Sequence, residues 1–264
     1  MVNPTRSGDG FPQGHQWADA LPDRVTFISD LHLFTRRCTA GFHAAAIDRA
    51  ADESEVVVWG GDLFDLKWHG FDSLGAAVDA SIRWLDAFHD RHAATGRRFV
   101  YLRGNHDCHP ALDAAVQEWA AARDDVLGPL DWIAIGDVVA THGDVIEGGG
   151  GEDGWRRYRR AWRDHDRPGA WRHPIYDAAV AARLHRAAAM TYHRRGTTLR
   201  RLDRWVDTLP GGGAIRRVVF GHTHRRLIEH RRGGRTYDNP GAAVRHVRFT
   251  PVVVVPAAGG SASA

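Results

Sequence analysis

The stretch Glu55-Val56-Val57-Val58-Trp59-Gly60-Gly61-Asp62 decides the fold. Three successive valines and a tryptophan leave no polar alternation, so the strand is buried on both faces, as in a parallel α/β sheet. It stops at two glycines and then delivers an aspartate. The same order recurs along the chain. Arg24 to Ser29 is a short apolar strand running into Asp30-Leu31-His32, and Arg98 to Leu102 is another, ending at Gly104-Asn105-His106-Asp107. Trp132 to Ala140 is strand-like, with Gly136-Asp137 as a hairpin turn, and leads to Thr141-His142-Gly143-Asp144. Ile215 to Phe220 ends at Gly221-His222-Thr223-His224. Helical spacing over Ala44 to Ala51, Leu74 to His92 and Ala111 to Ala122 fills the intervals. Three more strands are expected at Arg226 to His230, Arg235 to Tyr237 and Val244 to Val255, beside a sixth motif, Asn239-Pro240-Gly241. Strand, polar motif and helix in repetition predict an α/β fold whose strand ends carry the site.

The chain has 264 residues, enough for one domain with an insertion. Residues 1–22, polar and rich in Gly, Pro and Asp, read as a flexible arm without the pattern of a secretory signal. The domain is expected over 23–258 and a disordered tail over 259–264. Glycine runs at 148–151 and 211–213 bracket a helical insertion of about 150–212. Between Trp155 and Arg204 this insertion holds 14 Arg against 4 Asp, so it is strongly cationic although the whole chain carries only +3. No stretch of about 20 apolar residues is present, which excludes a membrane-spanning helix and leaves peripheral contact at most. Two distant cysteines, Cys38 and Cys108, make no disulfide framework, and a cytoplasmic location is expected. No nucleic-acid-binding module motif appears, so nucleic acid is not an expected partner.

The motifs carry the chemistry. Asp30 and His32 stand two apart in extended chain and project to one side; His222 and His224 repeat the spacing behind Gly221. Each pair alone is common by chance, and Asp62 alone would pass for a turn or helix-capping residue. Five such motifs, each at the end of an apolar strand, are much harder to assign to chance. A mixed Asp/Asn/His set suits Mn, Fe or Zn better than Ca or Mg, which prefer all-oxygen ligands. Without cysteine ligands it is not a structural zinc module.

The set Asp30-x-His32, Gly61-Asp62, Gly104-Asn105-His106-Asp107, His142 and Gly221-His222-x-His224 resembles the calcineurin-like metallophosphoesterase family over roughly Val25 to Val255. That resemblance implies a β-sandwich flanked by helices with a helical lid insertion, and a di-metal phosphoesterase. One metal would take Asp30, His32, Asp62 and His224; the other Asp62, Asn105, His142 and His222, with Asp62 bridging. Two divalent ions are implied, Mn first with Fe or Zn as alternatives, and a hydroxide between them would attack phosphorus. His106 would stabilise phosphoryl oxygens or protonate the leaving group, oriented by Asp107.

Within the family, Ser29 to Leu33, Gly61 to Asp65 with Trp68, His142-Gly143-Asp144 and Gly221 to Arg225 are similar to the UDP-2,3-diacylglucosamine pyrophosphatase branch. That branch carries Arg where this chain has His106, and its lid is more apolar than the Arg-rich insertion here. Arg156, Arg157, Tyr158 and Arg160 would form the matching first lid helix and grip an anionic substrate. The expected substrate is a small or lipid-linked phosphodiester or pyrophosphate. A cyclic-nucleotide phosphodiesterase or a Ser/Thr protein phosphatase is the alternative within the family. A non-catalytic scaffold would have lost ligands, whereas every ligand position here is filled.

Overall fold

In the computed structural model, which describes residues 12–94, 96–163, 178 and 193–258, the all-apolar Val56 to Trp59 run is buried on both faces, as its sequence requires. The described strands, in chain order, are β1 (Gly14–Gln16), β2 (Val25–Ile28), β3 (Val56–Gly60), β4 (Arg98–Leu102), β5 (Val126–Leu130), β6 (Trp132–Ile135), β7 (Val138–Thr141), β8 (Arg217–Phe220), β9 (Leu227–Arg232), β10 (Arg235–Asn239) and β11 (Val252–Val254). The described helices are α1 (Ala44–Asp52), α2 (Leu74–His92), α3 (Pro110–Ala121), α4 (Glu152–Arg163) and α5 (Arg195–Val206), with short 3-10 turns between some elements.

Two sheets result. One has the order β11-β2-β3-β4-β5, with β2 to β5 parallel; the other has the order β1-β6-β7-β8-β10-β9. The two-residue period of a strand sorts side chains between layers. Val56 and Val58 meet Ile133, Ile135, Val138 and Val219 of the other sheet, and this is the sandwich core. Val57 and Trp59 point the opposite way, into a core closed by α1, α2 and α3. On the far face of the second sheet, Val139, Val218 and Phe220 pack with Trp155 of α4 and Leu199, Leu202 and Trp205 of α5. The layers therefore run helix, sheet, sheet, helix, which is the mixed α/β architecture expected.

Several boundaries differ from the expectation. The arm predicted over 1–22 is not free in its described part: Gly14–Gln16 adds parallel to β6, and the Trp17 amide donates to the Ala134 carbonyl at 2.8 Å. A Gly-His-Gln strand has no propensity signal, and only the waiting sheet edge recruits it. Strand β5 was not foreseen because Gly128-Pro129 lies inside it; it takes the sheet edge, where proline is tolerated. The strand expected over Val244 to Val255 shrinks to Val252–Val254, since the preceding loop turns through a left-handed His246 (φ 66°). Of the insertion, α4 and α5 are helical as expected; residues 164–177 and 179–192 lie outside the described residues, as do 1–11 and 259–264. No helix among the described residues is long and apolar enough to cross a membrane.

Trp59 has no exposed surface and stacks on Phe99 at 5.2 Å between ring centroids, with Phe88 at 5.7 Å. Trp59→Ala is expected to cost about 3–5 kcal/mol of unfolding free energy, read from guanidinium denaturation curves.

Candidate metal centre

Five strands end at one edge of the sandwich, and each hands its next residues to the same point. β2 leads to Asp30 and His32, β3 to Asp62, β4 to Asn105 and His106, β7 to His142, and β8 to His222 and His224. The turns are tight. Asp30 (φ 53°), His32 (46°), Asp62 (50°), His222 (65°) and His224 (52°) all have left-handed backbone, five of the eight non-glycine residues that do among those described. Each such residue costs of order 1 kcal/mol or more. Hydrogen bonds that continue the sheet across the turns offset that cost. The Asp30 amide donates to Gly61 O at 3.0 Å, the His32 amide to Asp62 O at 3.0 Å, and the Ala243 amide to Asp30 O at 2.9 Å.

Close approach sets the glycines. A Cβ on Gly104 would collide with Asp62 Oδ1 and the Asp62 amide, and one on Gly221 would collide with Asp30 Oδ2 and Ser29 Oγ. The sixth motif braces the same loop: Asn239 Nδ2 donates to Gly221 O at 2.7 Å, and its Oδ1 accepts from the Gly241 amide at 2.9 Å.

All seven residues assigned as ligands by resemblance are brought together. His224 Nε2 lies 3.3 Å from Asp30 Oδ1 and 3.0 Å from His32 Nε2. His142 Nε2 lies 3.3 Å and His222 Nδ1 2.9 Å from Asn105 Oδ1. Asp62 Oδ2 joins the two halves, at 3.9 Å from His32 Nε2 and 3.4 Å from His142 Nε2. Its other oxygen is taken by the His106 amide at 2.8 Å. Donor atoms of Asp30, His32 and His224 lie within 4.8 Å of one another, and so do those of Asp62, His142 and His222.

This donor set fits two divalent cations. Asp30 and Asp62 are almost wholly buried, and a buried carboxylate needs a counter-charge. Burial opposes their ionisation, yet the surrounding imidazoles hold both carboxyls below the ordinary range, Asp62 well below it. Conversely, burial works against a charged His142, but Asp62 pushes its pKa up to about 10. In the metal-free chain, a proton on His142 meets the charge of Asp62, whereas burial and the nearby Arg37 guanidinium push the pKa of His32 down to about 4. The facing Nε2 atoms of His32 and His224, 3.0 Å apart, suit a cation between them. The outward nitrogens are anchored: His142 Nδ1–H donates to Gly60 O at 3.1 Å, His32 Nδ1 lies 3.2 Å from Asp65 Oδ2, and His222 Nε2 lies 2.9 Å from Glu147 Oε1. That is the usual second contact of a metal-ligating histidine, which fixes tautomer and ring plane.

His106 lies against the same cluster, 4.8 Å from His32 between ring centroids. Its expected orienting partner was Asp107, and the structure corrects this. Asp107 is buried, accepts from the Gly104 amide at 2.6 Å, the Leu63 amide at 3.0 Å and the Tyr101 hydroxyl at 3.2 Å, and so builds the loop. Asp65 Oδ1 stands 3.0 Å from His106 Nδ1 instead, while Oδ2 serves His32 and accepts from Arg37 Nη2 at 2.6 Å. Burial opposes a charged His106, but Asp65 and Asp62 raise its pKa above the ordinary value.

Of the four residues expected to bind substrate, only Tyr158 approaches the cluster, 6.1 Å from His222 between ring centroids. Arg157 and Arg160 lie on the exposed side of α4, and Arg156 pairs with Glu152 one turn back at 2.5 Å. A helix turns about 100° per residue, so the charged run cannot all face one way. The inward arginine is Arg159, one turn after the buried Trp155; it grips Asp144 through two hydrogen bonds and donates to Arg103 O at 2.7 Å. Helical spacing from Trp155 would have singled it out. Trp162, one turn after Tyr158, also faces the site, 4.5 Å from His106 between ring centroids. Glu147, at the head of a glycine run, carries no signal in the sequence.

The family described as calcineurin-like phosphoesterase matches residues 23–226. Among solved structures, a dimetal phosphatase from Danio rerio is similar at 14% identity, covering 89% of this chain and 93% of that one, with a TM-score of 0.41. No curated protein matches the chain.

Asp62→Ala removes the oxygen shared by both halves of the cluster. The variant is expected to lose tight Mn binding in isothermal titration of the metal-free protein, with its circular dichroism preserved. Undiminished binding would take Asp62 out of the ligand set.

Proposed function

Because this chain belongs to the calcineurin-like phosphoesterase family, and is thereby a hydrolase of phosphate esters, we propose that it cleaves a phosphodiester or pyrophosphate bond in an anionic substrate of the nucleotide-sugar or lipid-linked kind. The observation that carries this reading is the convergence of Asp30, His32, Asp62, Asn105, His142, His222 and His224, with Asp62 Oδ2 facing both halves. Asp30, His32, Asp62 and His224 would hold one divalent cation, and Asp62, Asn105, His142 and His222 the other, with manganese the first choice. Two such ions supply Lewis acidity and neutralise charge on the phosphoryl oxygens.

The chain's own groups do the rest. His106 Nδ1 faces Asp65 Oδ1 at 3.0 Å, which leaves Nε2 to donate a hydrogen bond to a phosphoryl oxygen or a proton to the leaving group. Trp162, with Lys67 Nζ 4.5 Å from its ring centroid, and Tyr158 lie against the cluster from α4. Arg159 fixes that helix to the core through Asp144. The similarity to the UDP-2,3-diacylglucosamine pyrophosphatase branch supports a phosphoanhydride linked to a sugar or lipid, met at most at a membrane surface. The two free thiols, Cys38 and Cys108, agree with a cytoplasmic setting.

A hydrolysis panel with Mn tests this reading: an aryl phosphomonoester, an aryl phosphodiester, UDP-sugars, cyclic nucleotides and UDP-diacylglucosamine. Diesters or pyrophosphates should be preferred. Strong preference for phosphomonoesters, phosphopeptides included, would shift the assignment to a protein phosphatase. His106→Ala is expected to retain metal and to lose at least ~100-fold in kcat; full activity would remove its chemical role.

A further inference from the structure

A cleft of about 600 Å³ opens beside the metal centre on the His224 side, away from α4. Its walls are the start of α5, the chain that follows His222, and the loop at 246–248. Among the described residues, four arginines line it, Arg195, Arg225, Arg226 and Arg248, together with His246, and no Asp or Glu does. Elsewhere many arginines of this chain are matched to carboxylates, as Arg103 is to Asp113 and Asp131, and Arg235 to Asp203 and Asp207. Here Arg225 Nη1 donates to the His193 carbonyl at 2.7 Å and holds the wall, while Arg195, Arg226 and Arg248 make no ion pair among the described residues.

A concave surface lined with one sign of charge focuses its field on a ligand of the other sign. Guanidinium groups match phosphate through paired hydrogen bonds. The volume suits part of a nucleotide- or sugar-sized molecule. Local strain marks the same place: His246, in the cleft wall and outside the metal cluster, sits at φ 66°. His224 belongs to both cluster and cleft, so one molecule can span them.

We propose that this cleft is the seat of a second phosphate of the substrate, placed next to the one being cleaved, so that phosphoanhydrides are favoured over simple phosphate esters. The proposal rests on the phosphoesterase reading above and moves substrate recognition from the outer arginines of α4 to Arg195, Arg226 and Arg248. These side chains hold charge and orient; they take no part in bond breaking.

The test uses inorganic pyrophosphate as the probe, titrated calorimetrically into the metal-free full chain, since the probe would otherwise chelate Mn. The double variant Arg226→Gln/Arg248→Gln is expected to bind at least ~10-fold more weakly than wild type. Arg49→Gln/Arg83→Gln, which removes the same charge from exposed positions on α1 and α2, should bind as wild type does. Equal affinity in wild type and the Arg226/Arg248 variant, or no binding by wild type, overturns the cleft. With Mn present, the variant should raise KM for UDP-N-acetylglucosamine at least ~10-fold with kcat retained, while bis(4-nitrophenyl) phosphate is unaffected. Pyrophosphate binding that depends on these arginines in a protein hydrolysing none of the panel would uphold the cleft and refute the phosphoesterase reading alone.

Discussion

Two carboxylates, Asp30 and Asp62, are buried at the meeting point of two sheets, and much of the local architecture serves to keep them charged. An isolated ion in such a place is prohibitively costly. The chain surrounds them with imidazoles, backbone amides and a neutral amide oxygen rather than with apolar packing. Two further residues, Gly104 and Gly221, are bare because the carboxylates need the space. The left-handed turns at five of the donor residues follow from the same demand, since a regular strand end would carry these side chains past the common point. Strain here is tolerated because rigid, buried strands lie directly behind it.

Much of this was legible in the sequence, for a definite reason. Val56 to Trp59 has no polar face, so it could only be an interior strand, and a polar motif directly after such a strand has to sit at a sheet edge. The convergence of the motifs then follows from parallel pairing. What could not be read was whatever depends on tertiary partners. Gly14–Gln16 becomes a strand only because β6 offers an unpaired edge. Asp107 was the obvious neighbour for His106, but adjacency in sequence places successive side chains apart, and Asp65 arrives from another loop. The arginines of α4 were correctly seen as a cluster, whereas which of them turns inward is a matter of helical phase. The cleft arginines come from three separate segments, and no local pattern joins them.

The insertion is bound to the core by the apolar packing of α4 and α5 and, through Arg159, by charge. Arg159 reaches Asp144 and the Arg103 carbonyl, and Arg103 in turn holds Asp113 and Asp131. A buried network of this kind adds less stability than its number of contacts implies, but it fixes one arrangement, because any other leaves a buried charge unmatched. That explains how a highly cationic helix can lie over the site with Trp162 against His106 and Tyr158 over His222. Its outward arginines, by contrast, are available to solvent.

Asp65 has a wider consequence. Its two oxygens serve different masters: one faces His106, the other His32 and Arg37. In the proposed reaction, the ring holding a cation and the ring offering a proton would thus both be oriented by a single carboxylate. A change at Asp65 would therefore disturb both histidines at once, whereas changes in the Arg-lined cleft or on the outer face of α4 would leave that shared support in place.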